Sequence, residues 1–170
     1  MNKRLALALS FVTLSTATVF SAVASEMEPA SEKEQPAAQA ATMEVHKSPT
    51  CGCCKNWIAH MQEAGFAVTP VDHANLFPVK MQAGVREQYQ SCHTGIIDGY
   101  VFEGHVPAKF VQQFLAAPSE DAIGLSVPAM PVGTPGMEMG GRFNPYEILL
   151  LKKDGSSEVY ASIANYEEQF

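Results

Sequence analysis

Apolar and polar positions change their spacing along this chain, and each change predicts a new element of secondary structure. Residues 43–47 alternate between apolar and polar side chains, which predicts a first strand. Residues 57–64 then place apolar side chains at helical spacing, and Gly65 ends that helix. Residues 66–71 predict a second strand, although Pro70 is unusual inside one. The pattern therefore begins as strand, helix, strand.

Turn residues mark the next elements. Residues 72–90 carry a less regular pattern, in which Asn75 is a candidate helix start. Residues 94–102 are apolar on both sides of Asp98-Gly99, a dipeptide that favours a tight two-residue turn. This segment therefore predicts a β-hairpin.

The last part of the chain predicts a helix, a loop and a second hairpin. The helix opens with Pro107, which suits the first turn of a helix, and it ends before residue 118. Its predicted inward side chains are Phe110, Val111, Phe114 and Leu115. Residues 119–145 are rich in Gly and Pro and predict a loop, after which 146–151 and 158–163 predict paired strands.

This order of elements predicts an α/β fold of the thioredoxin-like kind. A single domain over residues 43–170 would contain an inserted hairpin and a Gly/Pro/Met-rich loop. In thioredoxin-like domains, a loop ending in proline before the last hairpin packs against the turn that follows the first strand. By that analogy, residues 127–139 are expected to face residues 51–54.

The first 42 residues do not belong to the predicted domain. Residues 1–24 combine a basic start, an apolar run and the small-residue sequence Ala-Val-Ala at 22–24, which predicts a secretory signal peptide. A membrane anchor is the alternative, but Ser and Thr dilute the run, whereas a span needs about 20 mostly apolar residues. Residues 25–42 predict a disordered, acidic and Ala-rich tether. We expect a periplasmic protein without membrane insertion after cleavage.

The net charge of the chain indicates which classes of partner molecule it can bind. The formal net charge is −7, and removal of a signal peptide that contains Lys3 and Arg4 makes the mature chain more acidic. Because binding to nucleic-acid phosphates requires a basic surface, a nucleic-acid partner is disfavoured.

Three cysteines, Cys51, Cys53 and Cys54, lie between the first strand and the first helix. A helix N-terminus offers unpaired N–H groups and a partial positive charge, which favour the thiolate form. Cys51 and Cys54 have the Cys-x-x-Cys spacing of a redox pair and are candidate catalytic residues. Two structural disulfides are the alternative, but only a bridge to Cys92 would close a long loop.

Other residues add further sulfur donors and imidazole nitrogen donors. Cys92 is followed directly by His93, and His105 stands just before the predicted second helix. The loop contributes three methionines without helical spacing, Met130, Met137 and Met139. Thiolate, thioether and imidazole together favour copper, because zinc usually takes separated ligand pairs and iron–sulfur clusters four spaced cysteines. Adjacent thiolates can also bridge more than one ion.

Five motifs in order resemble the CopG family of bacterial periplasmic copper-resistance proteins. They are Cys51-Gly52-Cys53-Cys54, Ser91-Cys92-His93-Thr94, Gly99 through Ala108, Gly124 through Pro131, and Pro135-Gly136-Met137-Glu138-Met139. The resemblance covers nearly all of the predicted domain, and it implies a thioredoxin-like fold and copper handling in the periplasm. It implies copper ligation by Cys51, Cys53, Cys54 and Cys92, with His105 and Met137 as further candidate ligands.

Three hypotheses follow from one site. The first is a redox-active copper protein, a candidate copper oxidoreductase, that interconverts Cu(I) and Cu(II) on one or more bound ions. The second is a thiol–disulfide oxidoreductase, with Cys51 attacking and Cys54 resolving. The third is a passive copper chaperone or store that hands copper to an efflux or other periplasmic copper-handling partner.

Overall fold

A seven-stranded mixed sheet organises residues 41–170, the part of the chain that this computed structural model describes. The strands are β1 (Thr42–Lys47), β2 (Ala67–Asp72), β3 (His93–Ile97), β4 (Tyr100–Glu103), β5 (Ala122–Ser126), β6 (Tyr146–Lys152) and β7 (Ser157–Ile163). Their order in the sheet is β2-β1-β3-β4-β5-β6-β7, with β1/β2 and β4/β5 parallel and the other neighbours antiparallel. The α/β class is therefore confirmed, whereas the thioredoxin-like assignment stays a prediction.

Three α-helices and two short 3₁₀ turns complete the described chain. They are α1 (Gly52–Glu63), α2 (Phe77–Gln82), α3 (Ala108–Ala116), and turns at Glu87–Tyr89 and Tyr166–Gln169. Within residues 41–170, no helix is long and apolar enough to cross a bilayer. The predicted signal peptide and residues 25–40 of the predicted tether lie outside the described residues. Thr42, assigned to the tether, is instead the first residue of β1.

The helix that carries the thiols forms as its sequence pattern predicts. Cys51 is its N-cap, with an extended backbone, and its Sγ accepts the N–H of Cys54 at 3.3 Å. Trp57 and Met61 are completely buried, and the Trp57 indole donates to the carbonyl of Val106 at 2.8 Å. Gly65 ends the helix at a φ of 93°, a left-handed conformation that glycine adopts without strain.

The third helix packs on the same core as α1. Phe110, Val111 and Phe114 are buried in it, as their spacing predicted. His60 of α1 accepts the N–H of Ala108 at 3.0 Å, so the two helices are joined near the start of α3. Both helices cover the sheet face on which residues such as Val45 and Phe102 are buried.

One strand was missed by the sequence analysis. Residues 119–145 were predicted to be a loop, but β5 runs through them and pairs with both β4 and β6. Its central Gly124 weakens the strand pattern, yet the fold requires it, because a Cβ there would lie 1.8 Å from the Val101 carbonyl oxygen. The partners of this strand are distant in sequence, and a local pattern does not reveal them.

The structure accounts for three features of the sequence pattern: a proline in a strand, an asparagine before a helix and a hairpin turn. Pro70 lies in β2, an edge strand, where a missing N–H is tolerated. Asn75 does precede a helix, since its side chain accepts the N–H of Phe77 at 3.0 Å, where α2 begins. Asp98 and Gly99 both have positive φ, as the predicted two-residue hairpin turn requires.

A buried ion pair lies on the opposite face of the sheet. Lys80 of α2 and Glu103 of β4 are joined at 2.5 Å, with side chains 5% and 0% exposed. Thr94 donates to Glu103 at 2.7 Å and the N–H of Ser91 donates to it at 2.6 Å. Burial raises the pKa of the Glu103 carboxyl, while Lys80 and the hydrogen bonds oppose that shift. The carboxylate thereby fixes the chain immediately before Cys92.

We predict that Glu103→Gln destabilises the protein by about 3–5 kcal/mol, because it leaves the Lys80 ammonium buried without a counter-charge. Urea denaturation followed by circular dichroism measures the change. The double variant Lys80→Met/Glu103→Gln removes both charges and should recover part of that loss. A single variant as stable as the parent would show that the pair is not buried in solution.

Candidate metal centre

The thiol turn between β1 and α1 holds a disulfide. Cys51 and Cys54 are bonded, with their Cα atoms 5.3 Å apart, and Cys54 is fully buried. The bond closes a loop of only two intervening residues, so it staples little chain. The alternative of two structural disulfides is therefore wrong for this structure, in which the other two cysteines are free.

The free thiols of Cys53 and Cys92 lie against this disulfide. Their Sγ atoms are 3.8 Å apart. The Sγ of Cys53 is 3.5 Å from that of Cys51, and the Sγ of Cys92 is 3.6 Å from that of Cys54. All four sulfurs lie within 4.8 Å of one another. The structure thus brings together the four cysteines that the sequence analysis selected.

His105 adds a nitrogen donor to this group. Its Nδ1 lies 2.8 Å from the carbonyl oxygen of Pro135, which cannot donate, so Nδ1 carries the hydrogen. The other nitrogen, Nε2, is then unprotonated and lies 3.2 Å from the Sγ of Cys92. The carbonyl partner orients the ring in the way that outer partners orient metal-binding imidazoles.

His93, which follows Cys92 directly in the sequence, is not among the predicted ligands. Its Nδ1 lies 3.3 Å from the Sγ of Cys92. The ring is completely buried between Trp57, with ring centroids 4.4 Å apart, and His105, at 5.0 Å. Its Nε2 is a buried side-chain nitrogen without a hydrogen-bond partner among the described residues. Adjacency to Cys92 was the only sequence signal for it.

Burial keeps the groups around Cys92 uncharged. Burial, with a contribution from Cys53, raises the pKa of the Cys92 thiol to about 12. Burial also lowers the pKa of His93 far below its usual value and lowers that of His105. Cys92 is therefore a thiol at neutral pH, and both imidazoles are neutral.

The Gly/Pro/Met-rich loop packs against the thiol helix. A Cβ on Gly136 would lie 2.8 Å from the Cys53 carbonyl oxygen and 2.7 Å from the Trp57 nitrogen, so only glycine fits there. Met137 follows at once and is half-buried, and its N–H donates to Thr134 at 2.7 Å. Its role as a ligand stays a prediction. Met130 and Met139 are about half exposed.

The donor set fits a soft cation. Sulfur and neutral imidazole are the ligands that Cu(I) prefers, and the Nε2 of His105 and the Sγ of Cys92 already face each other. Among the described residues, the donor groups around Cys92 are cysteines and histidines, without a carboxylate. Hard cations such as Mg²⁺ or Ca²⁺, which prefer oxygen ligands, are therefore not expected to bind there.

Comparisons with known proteins agree with this chemistry. A family model described as "Protein of unknown function, DUF411" matches residues 89–137. No match was found among curated proteins. Two solved structures of copper resistance protein CopG, form 2 and form 1, are 42% and 43% identical to this chain. They align over 72% and 73% of it and over 98% of their own chains, each with a TM-score of 0.69.

At 42% and 43% identity, this chain accounts for nearly the whole length of each CopG chain. This chain belongs to the CopG family of copper-resistance proteins.

Proposed function

We propose that this protein binds copper in the periplasm, as part of copper resistance or homeostasis, and changes the valence of the copper that it binds. The observation that carries the proposal is the convergence of four cysteine sulfurs, with two imidazoles beside Cys92. Copper is the cargo or substrate here, and it supplies one-electron chemistry. The relatives are described as copper-resistance proteins, which supports the same role for this chain.

The number of available thiols depends on the state of the disulfide. With Cys51 and Cys54 bonded, Cys53, Cys92 and the Nε2 of His105 remain as donors. When the disulfide is reduced, two further thiols face the same space. The reduced site therefore has sulfur donors for more than one Cu(I), while the oxidised site has fewer.

The dithiol can also supply electrons. When the thiols of Cys51 and Cys54 close their disulfide, they release two electrons and two protons. Two Cu(II) ions take one electron each and become two Cu(I). An external dithiol, oxidised to its own disulfide, returns the pair to the reduced form. Cys51 and Cys54 are thus the proposed redox-active residues, and Cys53 and Cys92 stay available for binding.

The location and the fold family are part of the proposal. The signal-like sequence of residues 1–24 supports export to the periplasm. A thioredoxin-like assignment is supported by the order β1, thiol turn, α1, β2 and by the β6–β7 hairpin at the end of the domain. A copper efflux or other periplasmic copper-handling protein is the proposed recipient of the metal.

A thiol–disulfide oxidoreductase is the second candidate, because a free thiol at Cys53 lies 3.5 Å from one sulfur of the disulfide. That contact also counts against efficient exchange with other proteins, since Cys53 competes for the same sulfur.

A passive copper store is the third candidate. It would use the same ligands without electron transfer, and it would protect the cell from copper only in proportion to the amount of protein present.

We predict that the fully reduced protein binds Cu(I) tightly and that Cys53→Ser/Cys92→Ser binds fewer Cu(I) ions and binds them less tightly, because two of the four thiols are removed. Anaerobic competition with a chromophoric Cu(I) chelator measures the affinity. Met81→Leu is a matched control, since it removes an exposed thioether on α2. Binding by the parent no tighter than by a cysteine-free variant would end the copper proposal.

We predict that adding Cu(II) to the anaerobic, reduced protein yields two Cu(I) for each disulfide formed, as electron balance requires. Absorbance of a Cu(I)-specific chelator complex gives the copper count, and a thiol reagent gives the loss of thiols. X-ray absorption should show sulfur-bound copper whose valence differs between reducing and oxidising buffer. Copper that remains Cu(I) in both buffers would instead support a store or chaperone.

We predict that the protein does little to accelerate reduction of insulin by a small dithiol, and that Cys51→Ser changes this rate little. The reason is the competing thiol of Cys53. The assay is run with a copper chelator present, so that metal does not block the thiols. Strong activity in the parent that disappears in Cys51→Ser would favour the oxidoreductase.

A further inference from the structure

We propose that His46 and His73 form a second metal site, for a divalent transition-metal ion, separate from the cysteine cluster. The Nδ1 of His46 and the Nε2 of His73 lie 2.9 Å apart, although the residues are 27 positions apart in sequence. Two nitrogens this close are arranged either to share a hydrogen or to hold one cation between them. The surroundings favour the cation when one is present.

Both histidines stand on anchored backbone. His46 lies in β1 opposite Val71 of β2. His73 follows directly after β2, and its N–H donates to the carbonyl of Lys47 at 2.9 Å. An ion pair between Lys47 and Asp72 ties the same strand ends together. The two imidazoles are therefore held in place before any ligand binds, which lowers the entropic cost of binding.

A nearby carboxylate favours the tautomer that a metal needs. An oxygen of Glu44 lies 3.8 Å from the Nε2 of His46, on the side of the ring away from His73. This negative charge favours hydrogen on Nε2, which leaves the lone pair of Nδ1 directed towards His73. Carboxylate, imidazole and metal in that order is a common arrangement in metalloproteins.

The electrostatics also keep His46 available. Burial lowers the pKa of His46 and the neighbouring His73 lowers it further, against an opposing effect of Glu44. The ring is therefore neutral at pH 7 and can ligate. Its side chain is 13% exposed, so a metal bound there still has access to solvent.

The pair opens into a cleft of about 510 Å³ that is also lined by Val79, Gln82 and Ala83. Because a water molecule occupies about 30 Å³ in the liquid, this space admits waters that complete the coordination. Imidazole ligands suit Cu(II), Zn(II) and Ni(II), and among these Cu(II) binds most tightly to a given site. We therefore use Cu(II) as the probe.

The site does not depend on the thiols. Along β1, Met43 and Val45 face the core under α1, whereas Glu44 and His46 alternate to the other face, beside α2. A nitrogen site on that face would hold Cu(II), while the sulfur cluster prefers Cu(I). Its existence can be tested in a protein that lacks the free thiols, whatever the outcome for the cysteine cluster.

The experiment uses the untagged Cys53→Ser/Cys92→Ser protein, titrated with Cu(II) and followed by electron paramagnetic resonance. We expect one Cu(II) ion with nitrogen hyperfine couplings. Adding His46→Gln or His73→Gln should abolish that signal, and adding Glu44→Gln should weaken binding. His60→Gln is the matched control, because His60 accepts a backbone N–H in α1–α3 packing and should leave the signal intact.

A second measurement avoids dependence on the folding of variants. In imidazole NMR spectra of the same Cys53→Ser/Cys92→Ser protein, Cu(II) should broaden the resonances of His46 and His73 before those of His60. The proposal is overturned if no nitrogen-coupled Cu(II) forms, if the signal survives in either histidine variant, or if all histidines broaden together.

Discussion

The antiparallel pairing of β1 with β3 is the constraint on which the cysteine cluster depends. In this register Lys47, the last residue of β1, lies opposite His93, the first residue of β3. The segment that follows β1 and the segment that precedes β3 therefore lie side by side at the same end of the two strands. Cys51 to Cys54 lie just past that point, and Cys92 lies just before it. Residues 38 positions apart, such as Cys54 and Cys92, are in contact for this reason.

The remaining parts of the site are held by elements that pack onto this junction. The Glu103 carboxylate binds the N–H of Ser91 and thereby sets the approach to Cys92. The Pro135 carbonyl orients His105, and Gly136 lets the loop reach the start of α1. The first two contacts are hydrogen bonds, and the third is a close approach that only glycine permits. Together they position Cys92, His105 and the thiol turn relative to one another, which is the support that a preorganised site needs.

Much of this could be predicted from local sequence. The helical spacing from Trp57 to Met61 and the Asp98-Gly99 turn are short-range signals, and the structure confirms them. The structure also brings the four cysteines together, while their role as ligands stays a prediction. What could not be predicted depends on contacts between distant segments. β5 is a strand because β4 and β6 flank it, and the glycine that the close packing demands hides it from a pattern search. The approach of His93 to the sulfurs likewise follows from burial against Trp57, which a sequence pattern does not encode.

Pro70 in β2 has a consequence beyond the acceptance of a proline by an edge strand. An open sheet edge can recruit the edge of another molecule through its unpaired N–H and C=O groups. Pro70 removes one N–H from that row, and exposed Asp72 places a negative charge at the end of the strand. A strand added from a second molecule would therefore find one hydrogen-bond donor missing and a negative charge close by. The strand beside β1 thus gives this CopG-family protein a built-in resistance to edge-to-edge aggregation.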